Sequence, residues 1–492
     1  MTGSFFLIGI KGSGMSHLAI ILKERKNEVS GCDVDEIFQT DEILLQANIE
    51  IFAGFDGERL KNFDTTTCII YSTAFAQKPI VQQARQQGFR VFSYIEYLTL
   101  LSQQRKTYGV AGTHGKTTST AATAFALSSG RRKEFPFFSL FGSSLVGTNG
   151  KPLYQGDENF LLECCEYQDH FQSYALRGMM LTNVEWDHPD YFENYDATIQ
   201  SFQQRVTSLA QDGFLLYCSD DSGARKVADW ARMRRPDLKL YSYGFEALGP
   251  FAIHEDGYQG GINVKLAGYR SFHLPFVGRN FVRDLVGAAV FATCILLDRP
   301  SPQLYLDENA LVVDEAIVTV LSTSLKILES FPGTVGRFQV MAEDDGITYI
   351  DDYAHHPTEI DTTIERARKK YPNRKILIVF APHTSSRTQT FLKYFTASLS
   401  QCDKLIVQET YASARGDITE TNYAQILAKE VEKRGFRTRR ALCGASLFVP
   451  GGDDAVASVA RGWLQDGDVC ITMGAGNNHS LYKKIIDKRH EL

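Results

Sequence analysis

A chain of 492 residues, 43% of them hydrophobic, is long enough for about three domains with large cores. Its formal net charge is −6 and no basic stripe is interleaved with aromatics, which argues against nucleic acid as a partner. The opening MTGSFFLIGI has no basic leader and reads as a strand rather than a signal peptide, and no apolar run approaches a bilayer span, so no membrane partner is expected.

From the N-terminus, Phe5 to Ile10 is a buried-strand pattern. It overlaps the turn Gly9-Ile10-Lys11-Gly12-Ser13-Gly14-Met15, and an apolar-periodic helix runs on through Leu22. A second strand, Glu28 to Cys32, ends at Asp33, about twenty residues beyond the turn, where dinucleotide folds set a carboxylate against a ribose. Lys11 occupies the middle glycine position, so the turn alone suits a plain β-turn-α equally well. Thr67 to Tyr71 and Arg90 to Phe92 continue the alternation into an open parallel sheet that ends near Ser102. Gln103-Gln104-Arg105 is a polar linker.

Next comes a short run, Thr107, Tyr108 and Val110, then Gly112-Thr113-His114-Gly115-Lys116-Thr117-Thr118, then an alanine-rich helical pattern through Leu127. Strand, glycine loop and helix in that order suit a polyphosphate. Glycines let backbone N–H groups turn inward, the helix N-terminus adds a positive partial charge, and Lys116 adds a full one. Thr117, the first hydroxyl after the lysine, would reach a Mg²⁺. Val110 stands where the general phosphate-loop pattern has its first glycine, which leaves a shorter G-x-x-G-K-T-T; the expected ligand is ATP or GTP.

In the central stretch two strand patterns end in acids. Phe160-Leu161-Leu162 runs into Glu163-Cys164-Cys165-Glu166, and Met179 to Thr182 runs into Asn183-Val184-Glu185-Trp186-Asp187-His188-Pro189-Asp190. At the carboxyl edge of a sheet, carboxylates and an imidazole could hold Mg²⁺ beside the nucleotide. The plainer alternative is a surface loop for His188 and a helix cap for Glu166. Adjacent Cys164 and Cys165 would face opposite sides of a strand, which disfavours a shared metal. The chain's nine cysteines, an odd number with no zinc spacing, read as reduced thiols in a cytoplasm. Phe251 to Phe276 is glycine-punctuated and reads as β-hairpins; Gly278-Arg279-Asn280 then precedes a helix from Phe281 to Leu297.

The pattern restarts near Phe331-Pro332-Gly333. A strand from Ile347 to Ile350 ends in Asp351-Asp352-Tyr353-Ala354-His355-His356-Pro357-Thr358-Glu359, with Pro357 in the first turn of a helix that runs to Tyr371. Lys375 to Phe380 ends at Pro382-His383-Thr384-Ser385-Ser386-Arg387; Lys404 to Val407 is another strand, and Asp468 to Met473 runs into Gly474-Ala475-Gly476. This predicts a third, doubly wound domain. Two histidines after two aspartates are too polar for a core and favour a binding edge.

Together the glycine loop, Asn183 to His188, Gly336-Arg337-Phe338, Asp351 to Glu359 and Pro382 to Arg387 resemble the Mur ligase family in kind, order and spacing, over nearly the whole chain from Gly9 to Gly476. Glu163 to Phe171, ECCEYQDHF, is similar to a form found in one branch of it. The resemblance implies an α/β protein of three domains: residues 1–104, Rossmann-like, for a uridine-nucleotide sugar; 105–332, a central P-loop ATPase-type mixed α/β domain; and 333–492, a second Rossmann-like doubly wound sheet. It implies an ATP-dependent ligase that joins L-alanine to the lactyl carboxylate of UDP-N-acetylmuramate through an acyl phosphate, with ATP as co-substrate and Mg²⁺ as cofactor. The oligomeric state stays open between monomer and homodimer.

Carried over by position, the resemblance makes Lys116, Glu166 and His188 the catalytic set, with Thr117, Glu166 and His188 as metal ligands. Gly112 to Thr118, Asn280, Arg337 and Asp352 would bind ATP, the last two from the third domain, so that chemistry waits for closure. Gly12, Gly14 and Asp33 would serve the uridine nucleotide, and His356, His383 and Arg387 the amino acid and the phosphates.

The chain departs from the family's H-N-x-x-N near the adenine, reading Arg279-Asn280-Phe281-Val282-Arg283, and it has Phe55 after Gly54 where a histidine is usual. No lysine lies between Asp187 and Arg225, so the carbamylated lysine that several relatives carry there cannot form. Two rival readings are a recycling ligase that adds a tripeptide to the same sugar nucleotide and a nucleotide-sensing protein that has lost turnover.

Overall fold

The computed structural model describes residues 3–129, 134–258, 261–266, 270–298, 315–410, 421–437, 444–474 and 477–490. Ala475 and Gly476, read as part of a glycine turn, lie outside them. The chain divides into two compact units, one of Met1–Glu185, Asp196–Pro275 and Arg283–Thr334, the other of Trp186–Tyr195, Phe276–Val282 and Val335–Leu492.

The first unit opens with β1 (Ser4–Ile8), α1 (Ser13–Glu24), β2 (Glu28–Asp33), α2 (Gln39–Gln46), β3 (Glu50–Ala53), β4 (Cys68–Tyr71), α3 (Pro79–Gln86), β5 (Arg90–Ser93) and α4 (Tyr94–Gln103). The strands pair in parallel in the order β3-β2-β1-β4-β5. Phe6, Leu7 and Ile8 are all 0% exposed, as a central parallel strand covered on both faces requires. The order reverses between β1 and β4, the switch point at whose carboxyl ends open α/β sheets bind ligands.

The same unit continues with β6 (Lys106–Ala111), α5 (Lys116–Ser128), β7 (Phe137–Leu140), β8 (Asn159–Cys164), β9 (Gly178–Leu181), α6 (Tyr195–Thr207), β10 (Phe214–Cys218), α7 (Ser222–Arg234) and β11 (Lys239–Tyr243). These strands form a second parallel sheet, β11-β10-β9-β6-β8-β7. With β6 between β8 and β9, the glycine loop emerges beside the two acid-bearing strand ends. The predicted hairpins are β12 (Ile253–Tyr258), β13 (Gly261–Leu266) and β14 (Arg270–Leu274), an antiparallel sheet, followed by α8 (Arg279–Leu297) and α9 (Glu315–Leu328).

Contrary to the sequence reading that no run is long enough, α8 has the length and apolar composition to cross a bilayer; 72% of its apolar window is buried inside the protein, so it is a core helix. Phe291 on it is 0% exposed, and burying such a side chain contributes roughly 2–3 kcal/mol.

The second unit holds β15 (Gln339–Asp344), β16 (Ile347–Asp352), α10 (Pro357–Lys370), β17 (Ile376–Ala381), α11 (Ser385–Thr390), α12 (Leu392–Leu399), β18 (Lys404–Val407), α13 (Tyr423–Arg437), β19 (Ala445–Phe448), α14 (Gly452–Trp463), β20 (Val469–Gly474) and α15 (Leu481–His490). Its sheet runs β15-β16-β20-β17-β18-β19, parallel except for the edge strand β15. The sequence reading did not foresee β15. A hairpin about Asp345-Gly346, both at positive φ, returns the chain to β16.

Candidate active site

The glycine loop joins β6 to α5, and two of its glycines have steric causes. Gly112 has φ +140°, and a Cβ there would lie 2.0 Å from Thr182 Oγ1; Gly115, at φ +77°, caps α5, and a Cβ would meet Asp284 Oδ2 at 2.7 Å. The end of β9 pins the loop from inside. Asn183 Oδ1 accepts from the His114 amide at 2.8 Å, while Thr182 Oγ1 (2.6 Å) and Asn183 Nδ2 (2.9 Å) donate to the His114 carbonyl. Thr113 Oγ1 donates to the Glu185 carbonyl at 3.1 Å, and His114 Nε2 lies 3.5 Å from Glu185 Oε2.

Lys116 opens α5 and turns its ammonium back into the loop, donating to the carbonyls of Gly112 (2.5 Å) and Thr113 (2.9 Å) and lying 2.8 Å from Glu166 Oε2. Burial presses the lysine's pKa down, but Glu166 and the neighbouring anions outweigh it, and the ammonium is held above its usual range. Thr117 Oγ1 donates to Glu163 Oε1 at 2.9 Å, and the Gly142 amide donates to Glu163 Oε2 at 2.7 Å. Glu163 was therefore missing from the residues chosen from sequence. Its signal was present, as the first acid of E-C-C-E at a strand end.

On α8, Arg283, the residue in place of the second asparagine, lies 3.9 Å from Asp220 Oδ2 and 3.7 Å from Asp284 Oδ1. Burial pushes the Asp284 carboxyl up to about 6 against the pull of Arg283. Cys164, the last residue of β8, is buried and Cys165, just beyond the strand, is exposed, and among the described residues every cysteine is a free thiol.

In the first sheet Gly12 caps α1, and a Cβ on Gly14 would meet the Tyr94 hydroxyl at 2.6 Å. Asp33, expected to face a ribose, uses Oδ2 on the Lys11 amide (2.7 Å) and Oδ1 on the Val34 amide (2.8 Å), so its carboxylate holds the turn itself. Lys11 reaches the Glu36 carbonyl (2.6 Å) and Asp41 (2.9 Å). Phe55 packs on Phe75 with ring centroids 4.7 Å apart, and Lys78 Nζ lies 5.0 Å over its ring.

In the second unit Asp187 and Arg387, 200 residues apart, form a buried bidentate pair, Nε to Oδ1 at 2.9 Å and Nη2 to Oδ2 at 3.1 Å. Arg387 also reaches His383 Nδ1 (3.1 Å) and His188 Nδ1 (3.3 Å), so two residues chosen from sequence converge on the guanidinium of a third. Burial alone would raise the Asp187 carboxyl; Arg387, His188, His356 and His355 reverse that and hold it well below the carboxylate range. His188 sits at φ 53°, a strained conformation for a side chain.

His356 is the N-cap of α10, its Nδ1 accepting from the Thr358 amide at 3.4 Å, while Glu359 Oε2 accepts from the amides of His355 and His356. Asp352 accepts from Thr363 Oγ1 at 2.6 Å and from the Ala354 amide at 3.1 Å, and Arg337 stacks 5.0 Å over Tyr353. Burial pushes Asp351 up to about 6. Asn280 Nδ2 donates to Thr362 Oγ1 at 3.1 Å. Lys116, Thr117 and Glu166 thus gather in the first unit, whereas His188 belongs to the second, with His356, His383 and Arg387.

Three domain models match the chain: the Mur ligase family catalytic domain over residues 5–106, the Mur ligase middle domain over 110–292, and the Mur ligase glutamate ligase domain over 336–476. The UDP-N-acetylmuramate–L-alanine ligase of Treponema pallidum is 33% identical over 481 residues, 96% of this chain and 94% of that protein. The Borreliella burgdorferi protein of the same name is 31% identical over 493 residues, 97% of each.

Among solved structures, the UDP-N-acetylmuramate-alanine ligase of Thermotoga maritima superposes with a TM-score of 0.72 at 21% identity, covering 99% of both chains. A murein peptide ligase from Psychrobacter arcticus superposes with 0.68 at 18% identity, covering 100% of this chain and 99% of that one. At those identities the superpositions speak to the fold alone, a mixed α/β architecture in three domains. With one-third identity sustained over nearly the full length and a domain model on each third of the chain, this protein belongs to the Mur ligase family.

Proposed function

We propose that the chain is an ATP-dependent ligase that joins L-alanine to the lactyl carboxylate of UDP-N-acetylmuramate, a step in making peptidoglycan precursors. The observation that carries the reading is the contact of Lys116 with Glu166 in a glycine loop, in a chain 33% identical over 96% of its length to a ligase of that name. The proposed domains are residues 1–104 for the sugar nucleotide, 105–332 for ATP and 333–492 as the ligase domain. The free thiols among the described residues suit the reducing cytoplasm where such precursors are made.

A carboxylate does not react with an amine at neutral pH, so it must first be made electrophilic. Attack of the lactyl carboxylate on the γ-phosphorus of ATP forms an acyl phosphate and releases ADP. The amine of L-alanine then adds to the acyl carbon, and phosphate leaves as the tetrahedral adduct collapses. Lys116 is the group proposed to stabilise charge on the transferring phosphoryl oxygens, held ready by its carbonyl and carboxylate partners. Gly112 to Thr118 cradle the phosphates in this reading, and Asn280, Arg337 and Asp352 serve the nucleotide.

The donor set suits Mg²⁺, because the Thr117 hydroxyl and the Glu163 and Glu166 carboxylates all present hard oxygen ligands. His188 is assigned to a second cation. When bound, such ions neutralise phosphoryl charge and orient the reacting oxygens. Gly12, Gly14 and Asp33 are assigned to the uridine nucleotide. His356, His383 and Arg387 are assigned to the acceptor end, with Arg387 ordering His188 and His383 as well.

The test is phosphate release by the purified chain with ATP, Mg²⁺, UDP-N-acetylmuramate and a panel of amino acids and a tripeptide. L-alanine should be used first, glycine and L-serine slowly, since a missing methylene costs only about 1–3 kcal/mol whereas added bulk is excluded by sterics. Preference for the tripeptide would transfer the chain to the recycling class, and ATP turnover with none of them would end the ligase reading.

A further inference from the structure

The turn that follows Glu166 is strained. Gln168 (φ 53°) and Asp169 (φ 56°) both lie in the left-handed region that side chains other than glycine avoid, and two such residues in succession persist only where the surroundings over-determine them. Here α6 does so. The Ser201 hydroxyl donates to the Asp169 carboxylate, and Gln172 Nε2 donates to the Ser201 carbonyl at 2.8 Å.

One helical turn on, Arg205 is 0% exposed and its Nη1 donates to the carbonyls of Phe171 (2.5 Å), Gln172 (3.2 Å) and Tyr174 (2.8 Å). All three carbonyls meet Nη1, whose two N–H groups are shared among them, so one terminal nitrogen gathers the bend. At its other end the turn is tied to the acid itself, since the Asp169 amide donates to the Glu166 carbonyl at 2.9 Å and the Phe171 amide to the Cys165 carbonyl at 3.2 Å. The backbone that carries Glu166 is thus suspended between the Lys116 contact and two polar side chains of α6.

We propose that Ser201 and Arg205 are positioning residues for Glu166: they hold the strained 167–173 turn in the conformation that presents this carboxylate to Lys116, and so set the affinity for a Mg²⁺-bound nucleoside triphosphate. The inference rests on the glycine loop being the nucleotide site. Neither residue is assigned to touch substrate; both act through the turn.

The experiment measures calorimetric binding of a non-hydrolysable ATP analogue, with Mg²⁺ and with EDTA, and of UDP-N-acetylmuramate, to the full chain and to Ser201→Ala, Ser201→Thr, Arg205→Lys and Lys116→Ala. Ser201→Ala should weaken binding of the Mg²⁺-bound analogue by roughly tenfold, as loss of a group that orients a metal ligand does. The loss should be smaller in EDTA, sugar-nucleotide binding should be unchanged, and Ser201→Thr should restore the affinity.

A folded Ser201→Ala chain that binds the Mg²⁺-bound analogue normally would overturn the inference, as would an equal loss with and without Mg²⁺ or an equal loss for the sugar nucleotide. If Arg205→Lys fails to fold, Ser201→Ala decides. Should Lys116→Ala bind the analogue like the parent, the nucleotide reading itself fails; should Lys116→Ala weaken binding while Ser201→Ala does not, only the positioning role fails.

Discussion

Lys116, half-buried, and Arg387, buried, are both cations paired with a carboxylate, yet removing them should have different signatures. In the proposed mechanism Lys116→Ala deletes charge stabilisation needed while the phosphoryl group moves, so turnover should fall by on the order of a hundredfold or more in a chain that still folds; near-normal phosphate release would remove Lys116 from the mechanism. Arg387→Met instead strands the Asp187 carboxylate in a buried site, which costs roughly 3–5 kcal/mol of stability at neutral pH, read by urea unfolding.

The pH dependence of that cost has a definite sign. Because the folded Asp187 carboxyl titrates well below its ordinary value of 3.8, the pair's stabilisation is fully present above about pH 4 and is lost as pH falls toward the folded value. The gap between parent and Arg387→Met should therefore narrow in acid. A gap that is constant with pH would show that packing, not charge, is what the arginine contributes.

At the scale of elements, α8 and the segment from Asp187 into α7 each carry a prediction. Asp284 on α8 is raised from 3.8 to about 6 by burial, so ionising it opposes folding: the stability is whole below pH 4 and declines as pH rises through about 6. Asp284→Asn should then be more stable than the parent at pH 8, by about 2–3 kcal/mol, and little different at pH 4. An equal effect at both values would mean that the carboxyl is solvated in solution.

The segment from Asp187 to Arg225 holds no lysine, which removes the residue type that CO₂ could modify there. Activity should be the same in CO₂-depleted buffer and after bicarbonate is added. Loss and recovery would reveal a carbamylated lysine elsewhere in the chain.

At the scale of the molecule, three sheets, parallel but for the edge strand β15, set their loops at carboxyl ends, and the candidate groups lie at those ends because strand direction puts them there: Asp33 at the end of β2, the glycine loop after β6, Glu166 after β8, Asp352 at the end of β16. The contact units cut across sequence order, since Trp186–Tyr195 and Phe276–Val282 go with Val335–Leu492 although both fall inside the central stretch. His188 and Asn280 are thereby set among residues that follow them by more than a hundred positions or by about eighty, as their contacts with Arg387 and Thr362 record.

The sequence by itself determined what short-range chemistry can specify. The succession of strand, glycine loop and helix around Lys116 was readable from letters alone, as was the helix start at Pro357, which follows a histidine pair and has Glu359 three residues past His356. The strands read from β-branched and aliphatic runs, such as Lys404–Val407, stand where their composition put them, whereas β3, β7 and β19, each at an edge of its sheet, are not marked by the continuous apolar run of an interior strand or by a flanking motif. Only the tertiary structure decided which acid takes Thr117, that Arg387 finds Asp187 across 200 residues, that Asp33 accepts from the amides of Lys11 and Val34, and that Arg205 meets the bend behind Glu166. Each is a choice among several chemically equivalent partners, and only the packing of distant elements makes it.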